Sequence, residues 1–455
     1  MRTDRGPNHR LTSLMAEAAW GNGDLARAVN RTGTETGQRL KYDASAVSHW
    51  LSGTSPTAKA LPVVLETLAR RLRRPITAVE AGFRGTPTPV EQPTDTVSGL
   101  IDLGSLDMDP SRRGILTAGL YSVALTIPGW PDVVGRFERL RTDPHLRIGM
   151  AEVQAVAAMT ERISDLDDQF GGRMTRPMAA SFLVNTIVPY LRADAGEGVR
   201  KAMLSAAADH CYLTGYMAVD ERHDSLAQRY YLKALELAGH AGDHLTYCTT
   251  LRGMSVQAVN LGHGSSALRL ADAASAASPE AGPRMRAFLA GQQAHALAQT
   301  GDRIGALLHL RTAEVAMDQA ESKAKVVGRY DPAALAYHVA QVNYELGDRD
   351  GAIRALQHSE KLRPPVYRGS RVRALSMLAE WQLGAGRLEE AVQNWHLALD
   401  DYPTIQSGRA DDRFRSMLSA TRPHRRNPHV RGLLERARPM AGGRGPARTV
   451  RETRA

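Results

Sequence analysis

The sequence is poor in cysteine, aromatic residues and long apolar runs, and each shortage excludes a class of protein. Two cysteines, Cys211 and Cys248, cannot form a disulfide framework in 455 residues, so we expect a reducing, cytoplasmic compartment. Aromatic residues make up only 5% of the chain while alanine is abundant, which favours packed helices over sheets. No apolar run reaches the roughly 18 residues of a membrane span, so we expect no membrane partner.

Signatures of catalysis and of cofactor binding are also missing. The sequence contains no HExxH, no P-loop, no GxSxG elbow and no GxGxxG after a predicted strand. His210 lies beside Cys211, but no second His/Cys pair follows at a metal-binding spacing. Asp167 and Asp168 are adjacent; because neighbours on a helix point about 100° apart, a solvated turn is favoured over paired carboxylates. We therefore predict a protein that is not an enzyme and has neither metal nor cofactor.

Positive charge is concentrated at the two ends of the chain. Residues 1–90 contain 13 Lys/Arg against 7 Asp/Glu, and residues 409–455 contain 13 against 4. Residues 91–408 contain 32 against 37, so the middle is mildly acidic. Basic ends attract polyanions such as nucleic acids. Solubility in a generally arginine-rich proteome is the alternative explanation.

The stretch DASAVSHWLSGTSP, residues 43–56, predicts a short helix with two unlike faces. Asp43 is a good N-cap, and Gly53 followed by Pro56 ends the helix. Small polar side chains share one side, and Trp50 with other apolar residues occupies the opposite one. Such a face fits a DNA major groove, where serine can donate or accept at base edges. The residues expected to contact bases or phosphates are Arg39, Lys41, Ser45, Ser48, His49, Ser52 and Thr54.

Three further helical patterns surround this stretch, over residues 11–20, from Asp24, and over residues 61–72. Four short helices with the polar face on the third fit a helix-turn-helix domain. The segment SHWLSGTSP, residues 48–56, resembles the end of the recognition helix in phage-repressor-type (XRE-like) domains, and the resemblance extends over roughly residues 11–83. The segment between Ala28 and Asp43 is longer than the tight turn of that family, so helix two is extended or a loop intervenes.

A paired-helix repeat follows in the second half of the chain. A turn residue recurs at intervals of 39 to 46 residues, with alanine five positions later and a packing residue four positions after that. The small alanine lets two antiparallel helices approach closely, and glycine ends the first helix. The five copies are Arg222, Ala227, Tyr231; Gly262, Ala267, Ala271; Gly301, Ala306, Leu310; Gly347, Ala352, Leu356; and Gly386, Ala391, Trp395.

These copies resemble the tetratricopeptide (TPR) helix pair in a degenerate form; a generic all-α bundle is the alternative. We predict an all-α protein with an N-terminal helix-turn-helix domain followed by a TPR-like solenoid. The predicted segments are the DNA-binding domain at 1–84, a linker at 85–110, a helical bridging and capping region at 111–207, the repeats at 208–408, and a basic, disordered tail at 409–455. The tail either adds non-specific attraction for phosphates or is a passive extension.

The first helix of each pair lines the concave face of such a solenoid, and we expect an effector there. Tyrosine and arginine are enriched at binding hot spots. The residues predicted for this groove are Tyr212, Tyr216, Arg252, His295, Tyr337, Gln341, Tyr344, Arg373 and Glu380.

The two predicted parts together resemble a family of actinobacterial regulators that includes negative regulators of differentiation and antibiotic production. The resemblance is carried by LDDQFGG at residues 166–172, by DSLAQRYYLKALELA at residues 224–238, and by the motif around Trp50. It implies a DNA-binding repressor of differentiation or secondary metabolism that senses a peptide, small molecule or protein partner. Because one small domain reads only a half-site, we also expect a homodimer on double-stranded DNA. The alternative is a TPR interaction scaffold without sequence-specific DNA binding.

Overall fold

The computed structural model describes residues 6–34, 40–57, 60–72, 76–83, 96–108, 121–122, 143–277, 281–320 and 330–441. These residues are almost entirely helical, which confirms the predicted helical class. The one strand pairing in the described chain is short and parallel, between β1 (Asp143–Arg147) and β2 (Ala193–Asp194). None of the described helices is both long and apolar enough to cross a membrane.

The N-terminal helices are α1 (His9–Glu17), α2 (Asn22–Thr34), α3 (Ala44–Leu51) and α4 (Leu61–Leu72). Apolar residues at helical spacing from all four helices form one core, which includes Leu11, Leu25, Val47, Trp50 and Leu68. The first helix begins at Asn8, whose side chain accepts a hydrogen bond from Leu11 N at 3.0 Å. The Asn8 backbone N–H donates to Leu51 O at 2.7 Å, which joins the start of α1 to the end of α3.

The predicted linker, residues 85–110, is wrong in its second half because α5 (Thr96–Met108) lies within it. Val97, Leu100 and Leu103 recur every three residues along one face of this helix and are buried. The Tyr230 hydroxyl also donates to the buried Asp107 carboxylate at 2.9 Å. A helix with a buried apolar face is part of the folded body and not a spacer.

The next helices are α6 (Met150–Phe170), α7 (Gly172–Phe182) and α8 (Val188–Arg192), with a π-helical turn at Leu183–Ile187. They lie in the predicted bridging and capping region, residues 111–207, which is helical as expected in its described part except for the short β1–β2 pairing.

Five helix pairs follow, and they confirm the repeat-like packing. The pairs are α9 (Glu197–Asp220) and α10 (Asp224–Ala241), α11 (His244–Asn260) and α12 (Gly264–Ala276), α13 (Pro283–Thr300) and α14 (Arg303–Asp318), α15 (Pro332–Glu345) and α16 (Arg349–Leu362), and α17 (Arg368–Gly384) and α18 (Leu388–Asp401). The first pair begins at Glu197, before the predicted boundary at 208.

Each predicted turn anchor adopts the left-handed backbone conformation. The φ angle is +67° at Arg222, +78° at Gly262, +86° at Gly301, +87° at Gly347 and +78° at Gly386. Glycine adopts this region without a steric penalty, so a glycine can end the first helix of a pair with little cost in free energy. The five alanines that follow the anchors are fully buried between their helices, at positions 227, 267, 306, 352 and 391.

The predicted disordered tail, residues 409–455, is wrong as far as residue 441. Residues 408–441 contain α19 (Gly408–Thr421) and α20 (Pro428–Ala441). Phe414 stacks on Tyr402 at a centroid distance of 4.7 Å, and Val430 with Leu433 is buried in the core that also contains Trp395. The high arginine content suggested disorder, but the apolar residues at helical spacing fold the segment onto the last repeat. The remaining residues, 442–455, lie outside the described part.

The chain divides into two compact units. Unit 1 comprises Met1–Thr160, Pro177–Val219 and His223–Pro279. Unit 2 comprises Glu161–Arg176, Asp220–Arg222 and Glu280–Ala455.

Within unit 2, the C-terminal segment before α19 is bonded to the corner between α6 and α7. Gln406 N donates to Phe170 O at 2.6 Å, and Arg173 N donates to Gln406 O at 3.0 Å. Gly171 has φ +86°, and an added Cβ at this position would lie 2.6 Å from Gln406 O. Only glycine therefore fits this backbone crossing.

A second group of contacts in unit 2 surrounds the buried Asp220 carboxylate. Its Oδ1 accepts from Ser407 Oγ at 2.9 Å and from Arg409 Nε at 3.0 Å. Asp167, which we expected in a solvated turn, is half-buried and accepts from Thr175 Oγ1 at 3.2 Å, so that expectation is wrong. Desolvation and the neighbouring carboxylates raise the pKa of Asp167. We call the contacts of residues 170–173 and 220 with residues 406–409 the C-terminal clasp.

Candidate functional site

Helix α3 is fixed at its N-terminus by a cap and on its inner face by an aromatic cluster. Asp43 Oδ1 accepts from Ala46 N at 2.9 Å, which satisfies a free N–H of the first turn. Trp50 is 4% exposed and packs edge-on against Tyr42 and Phe83, at centroid distances of 5.0 and 6.4 Å. The helix therefore has a well-defined orientation on the N-terminal core.

The opposite face of α3 is polar and open. Ser45, Ser48 and His49 are exposed, whereas Val47 on the inner side is buried. Within the described chain, the side chains of these three polar residues make no hydrogen bond, so their donors and acceptors point to solvent. The two-sided pattern predicted for this helix is present.

The predicted DNA-contacting residues that flank α3 differ in their exposure and in their hydrogen bonds. Lys41 is exposed, and Thr54 is half-buried with its N–H bonded to His49 O at 3.0 Å. Ser52 is exposed, but its hydroxyl donates to Ser48 O at 2.9 Å, so it can act toward a ligand mainly as an acceptor. Arg39 lies outside the described residues.

One positioning residue was missed from the sequence. Asn30 on α2 donates through Nδ2 to Tyr42 O at 2.7 Å and accepts through Oδ1 from Tyr42 N at 2.8 Å. The amide thus fixes the backbone immediately before α3 in both directions. The only sequence signal is an asparagine inside a helix, where its propensity is low, and that signal is weak.

A second missed feature connects α4 with the first helix pairs, all within unit 1. Arg70, ion-paired with Glu66 at 2.9 Å, donates to Tyr121 O at 3.0 Å. The Tyr121 ring stacks on His263 with a centroid distance of 5.3 Å and an interplanar angle of 5°. Burial, with nearby carboxylates, raises the pKa of Tyr121.

The adjacent residue extends the same connection. Ser122 N donates to Gln228 Oε1 at 2.8 Å, and Gln228 Nε2 donates to Ser122 O at 2.9 Å. Residues 121–122 therefore contact α4, α10 and the turn before α12. We call these two residues the bridging dipeptide.

Three predicted groove residues lie in unit 1. Tyr212 is buried, and an added Cβ on Gly253 would lie 2.8 Å from its ring, so it fills the space between helices instead of facing an open groove. Burial raises the pKa of Tyr212 to about 12, although Arg252 opposes the shift. Tyr216 and Arg252 are half-buried.

The other six predicted groove residues lie in unit 2. Gln341 Nε2 contacts the Tyr337 hydroxyl at 2.7 Å, and Arg373 donates to Ser370 Oγ at 3.2 Å. His295 is buried, with its ring 6.3 Å from that of His338. These side chains are already engaged with neighbours on their own or adjacent helices.

An aromatic and arginine stack in unit 2 includes Tyr344. Its ring stacks on Trp381 at a centroid distance of 4.4 Å and an angle of 12°, and the Arg349 guanidinium lies 3.8 Å from the Tyr344 centroid. On the same helix as Trp381, Glu380 Oε2 accepts from Arg413 Nη1 at 2.5 Å. Glu380 Oε1 is buried without a hydrogen-bond partner in the described chain.

The two cysteines and the acidic groups of the described residues form neither a reactive thiol site nor a metal-binding cluster. Cys211 and Cys248 are both buried and free, and burial raises the pKa of Cys211 to about 12, which disfavours a reactive thiolate. Asp209 has its pKa raised to about 6, chiefly by burial. Among the described residues, no group of three or more His, Cys, Asp or Glu side chains is placed to hold a metal ion.

Comparison with known proteins adds one match. No curated protein matches the chain. Residues 11–84 match the family model of the SP15 N-terminal domain, a segment that begins within α1 and includes α2, α3 and α4.

Proposed function

We propose that this protein is a DNA-binding transcriptional regulator of the repressor type, in which α1–α4 act as a helix-turn-helix domain and α3 enters the major groove. The observation that carries the proposal is the open polar face of α3. Ser45, Ser48 and His49 are exposed and unbonded in the described chain, on a helix whose position is fixed by Trp50 and Asn30. An exposed, preorganised helix with small polar side chains can approach base edges closely.

The two classes of contact have separate roles. Ser48 and His49 are assigned to base edges, which specify sequence. Lys41 and Arg39 are assigned to phosphates, which position the domain and make the affinity depend on salt. Thr54 and Ser52 follow α3 and are also assigned to contacts with DNA phosphates.

The regulator acts as a homodimer in this proposal, because two-fold pairing doubles the contacts made by one small domain. Helix α14 supports a self-association face in unit 2: Ile304 is 83% exposed and Leu308 is 64% exposed, with Leu307 and Val315 also exposed. Two copies of this apolar face can cover each other. Changing Ile304 and Leu308 to glutamate should give a monomer in sedimentation, and a dimer that survives this change would remove α14 from the interface.

The helix pairs supply the sensory part, as a degenerate TPR solenoid. The stack of Arg349, Tyr344 and Trp381 and the unsatisfied Glu380 Oε1 support a peptide, small-molecule or protein ligand in unit 2. A joint change of Tyr344 and Arg349 to alanine, which removes two of the three members of this stack, should abolish the response to an effector while the helical content stays unchanged.

The test of DNA reading starts from a binding site selected by the full-length protein from random duplexes. Ser48→Ala or His49→Ala should weaken binding to that site by about 1–3 kcal/mol and leave a scrambled duplex almost unaffected. Lys41→Ala should weaken both alike and lower the salt slope by about one. Ser13→Ala, an exposed serine on α1, is the matched control.

Equal losses on both duplexes would show that α3 does not read sequence. The segment between α2 and α3 would then become the better candidate for reading. Failure to select any site would favour the alternative function, an interaction scaffold that uses the stack in unit 2 and binds no specific DNA sequence.

A further inference from the structure

The C-terminal helices contain a stretch with only one sign of charge. Residues 413–434 contain six arginines and no aspartate or glutamate. Two of the six are neutralised: Arg413 contacts Glu380 at 2.5 Å, and Arg415 contacts Asp412 at 2.8 Å. The remaining four therefore carry the uncompensated charge of the stretch.

These four residues are exposed and lie in or directly after the turn between α19 and α20. In the described part of the chain none of them has an ion-pair partner. We call them the basic turn surface: Arg422, Arg425, Arg426 and Arg431. Glu435, the next acid along the chain, is exposed on α20 one helical turn beyond Arg431 and ends the stretch that lacks acidic residues.

The basic turn surface stands on a folded scaffold. Val430 and Leu433 on α20 are fully buried, and Arg436 binds Asp400 at 2.5 Å and His396 O at 3.0 Å. Asn427 Oδ1 accepts from His429 N at 2.9 Å and closes the turn before α20. The four guanidinium groups are thus presented together by the same short segment.

Four exposed guanidinium groups on residues 422–431, without ion-pair partners in the described chain, match the phosphates of a nucleic-acid backbone. Binding of single strands also uses exposed aromatic rings on which bases stack. The aromatic side chains of this region, Tyr402 and Phe414, are buried and stacked on each other. We infer that the basic turn surface is a second DNA-binding surface, which holds the phosphodiester backbone of duplex DNA without reading its sequence.

This surface is separate in chemistry from α3, whose polar face is assigned to base edges. It adds affinity for any duplex and steepens the salt dependence. Four phosphate contacts would add roughly three to four to the slope of log K against log salt.

The test measures binding of the full-length protein to a random-sequence duplex by fluorescence anisotropy at several salt concentrations. In the test variant, Arg422, Arg425, Arg426 and Arg431 are all changed to glutamine. In the matched control, four exposed basic residues elsewhere in unit 2 and outside α14 are changed to glutamine, so the net charge falls equally: Arg162, Arg354, Lys361 and Arg387. Circular dichroism checks that both variants keep the helical content of the parent chain.

The test variant should bind about 10- to 100-fold more weakly at low salt and lose roughly three from the salt slope, whereas the control should change little. Equal losses in the two variants would mean that only net charge matters and would overturn the inference. So would an unchanged slope, or a loss on single strands that exceeds the loss on duplex. Because the probe has no selected sequence, each of these results is independent of whether Ser48 and His49 read bases.

Discussion

The Asn30 amide offers the sharpest test of how the N-terminal domain positions α3. Asn30→Ala removes both hydrogen bonds between the Asn30 side chain and the Tyr42 backbone, at 2.7 and 2.8 Å. The Tyr42 N–H and C=O then lose the partner that Asn30 supplied. A hydrogen bond contributes a net 0.5–1.5 kcal/mol, and Asn30 is half-buried, so water can replace part of the loss. We therefore expect the local free energy of opening around α3 to fall by about 1–2 kcal/mol.

Hydrogen exchange on the full-length protein measures this change directly. Because 1.36 kcal/mol is a factor of ten, protection of amides in residues 42–51 should fall about 5- to 30-fold. Asn22→Ala, the same chemical change at the other end of α2, is the control, since the Asn22 side chain makes no hydrogen bond in the described chain. Sequence selectivity should fall along with protection.

Unchanged protection in Asn30→Ala would show that the aromatic packing of Trp50 alone positions α3. A loss of protection spread evenly over α1–α4 would also contradict the positioning role, since it would mean that Asn30 stabilises the whole core. Only a loss centred on the start of α3 supports a positioning role.

Three further substitutions test the N-terminal core, the buried His210 imidazole and the turns of the repeats. Trp50→Ala should destabilise the N-terminal domain by about 3–5 kcal/mol, seen as lost protection across α1–α4. Burial lowers the pKa of His210 to about 4, and its Nε2 lies 2.8 Å from Ala179 O. Because the unfolded chain binds a proton at His210 below about pH 6.5 and the folded chain does not, the contribution of the neutral imidazole to stability is complete above that pH and is lost as the pH falls toward 4. Thermal melts should show about 2 kcal/mol of this loss between pH 7.5 and 5, and His210→Gln should remove it; a pH slope equal in both proteins would contradict the assignment. Gly347→Ala should cost about 1–2 kcal/mol because φ is +87°, whereas Gly384→Ala, at the last residue of α17 and with free space around it, should be neutral or stabilising in the same melts.

The repeats were predictable because their signal is local. An alanine that must fit between two helices and a turn residue with positive φ leave a spacing that can be counted, even at Arg222, where glycine is absent. The two faces of α3 were predictable for the same reason, since helical periodicity alone separates Ser48 from Trp50. Both features depend on residues within about two helical turns of each other.

The features that the sequence did not predict are mostly contacts between residues that are distant in the sequence. The Asn30 side chain bonds to the backbone of Tyr42, and the backbone of the bridging dipeptide bonds to the side chains of Arg70 and Gln228. No residue spacing predicts such contacts. The C-terminal helices are different, because Val430, Leu433 and Ala437 did carry a helical pattern. The arginine-rich composition of this segment suggested disorder, but exposed arginines are compatible with a helix that buries its other face.

The C-terminal clasp has a consequence for the order in which the chain can fold. Its hydrogen bonds join residues separated by 187 and 189 positions, and Arg173 contacts Asp411 across 238 positions. During synthesis the corner at residues 170–173 and the Asp220 carboxylate leave the ribosome long before residues 406–409 exist, so the clasp can form only after those residues have been synthesised. A chain that stops after the last repeat would leave the Asp220 carboxylate without its bonds to Ser407 and Arg409. Such a product should open locally and be proteolysed faster than a chain that contains residues 406–409, which makes the clasp a structural check that synthesis has passed this segment.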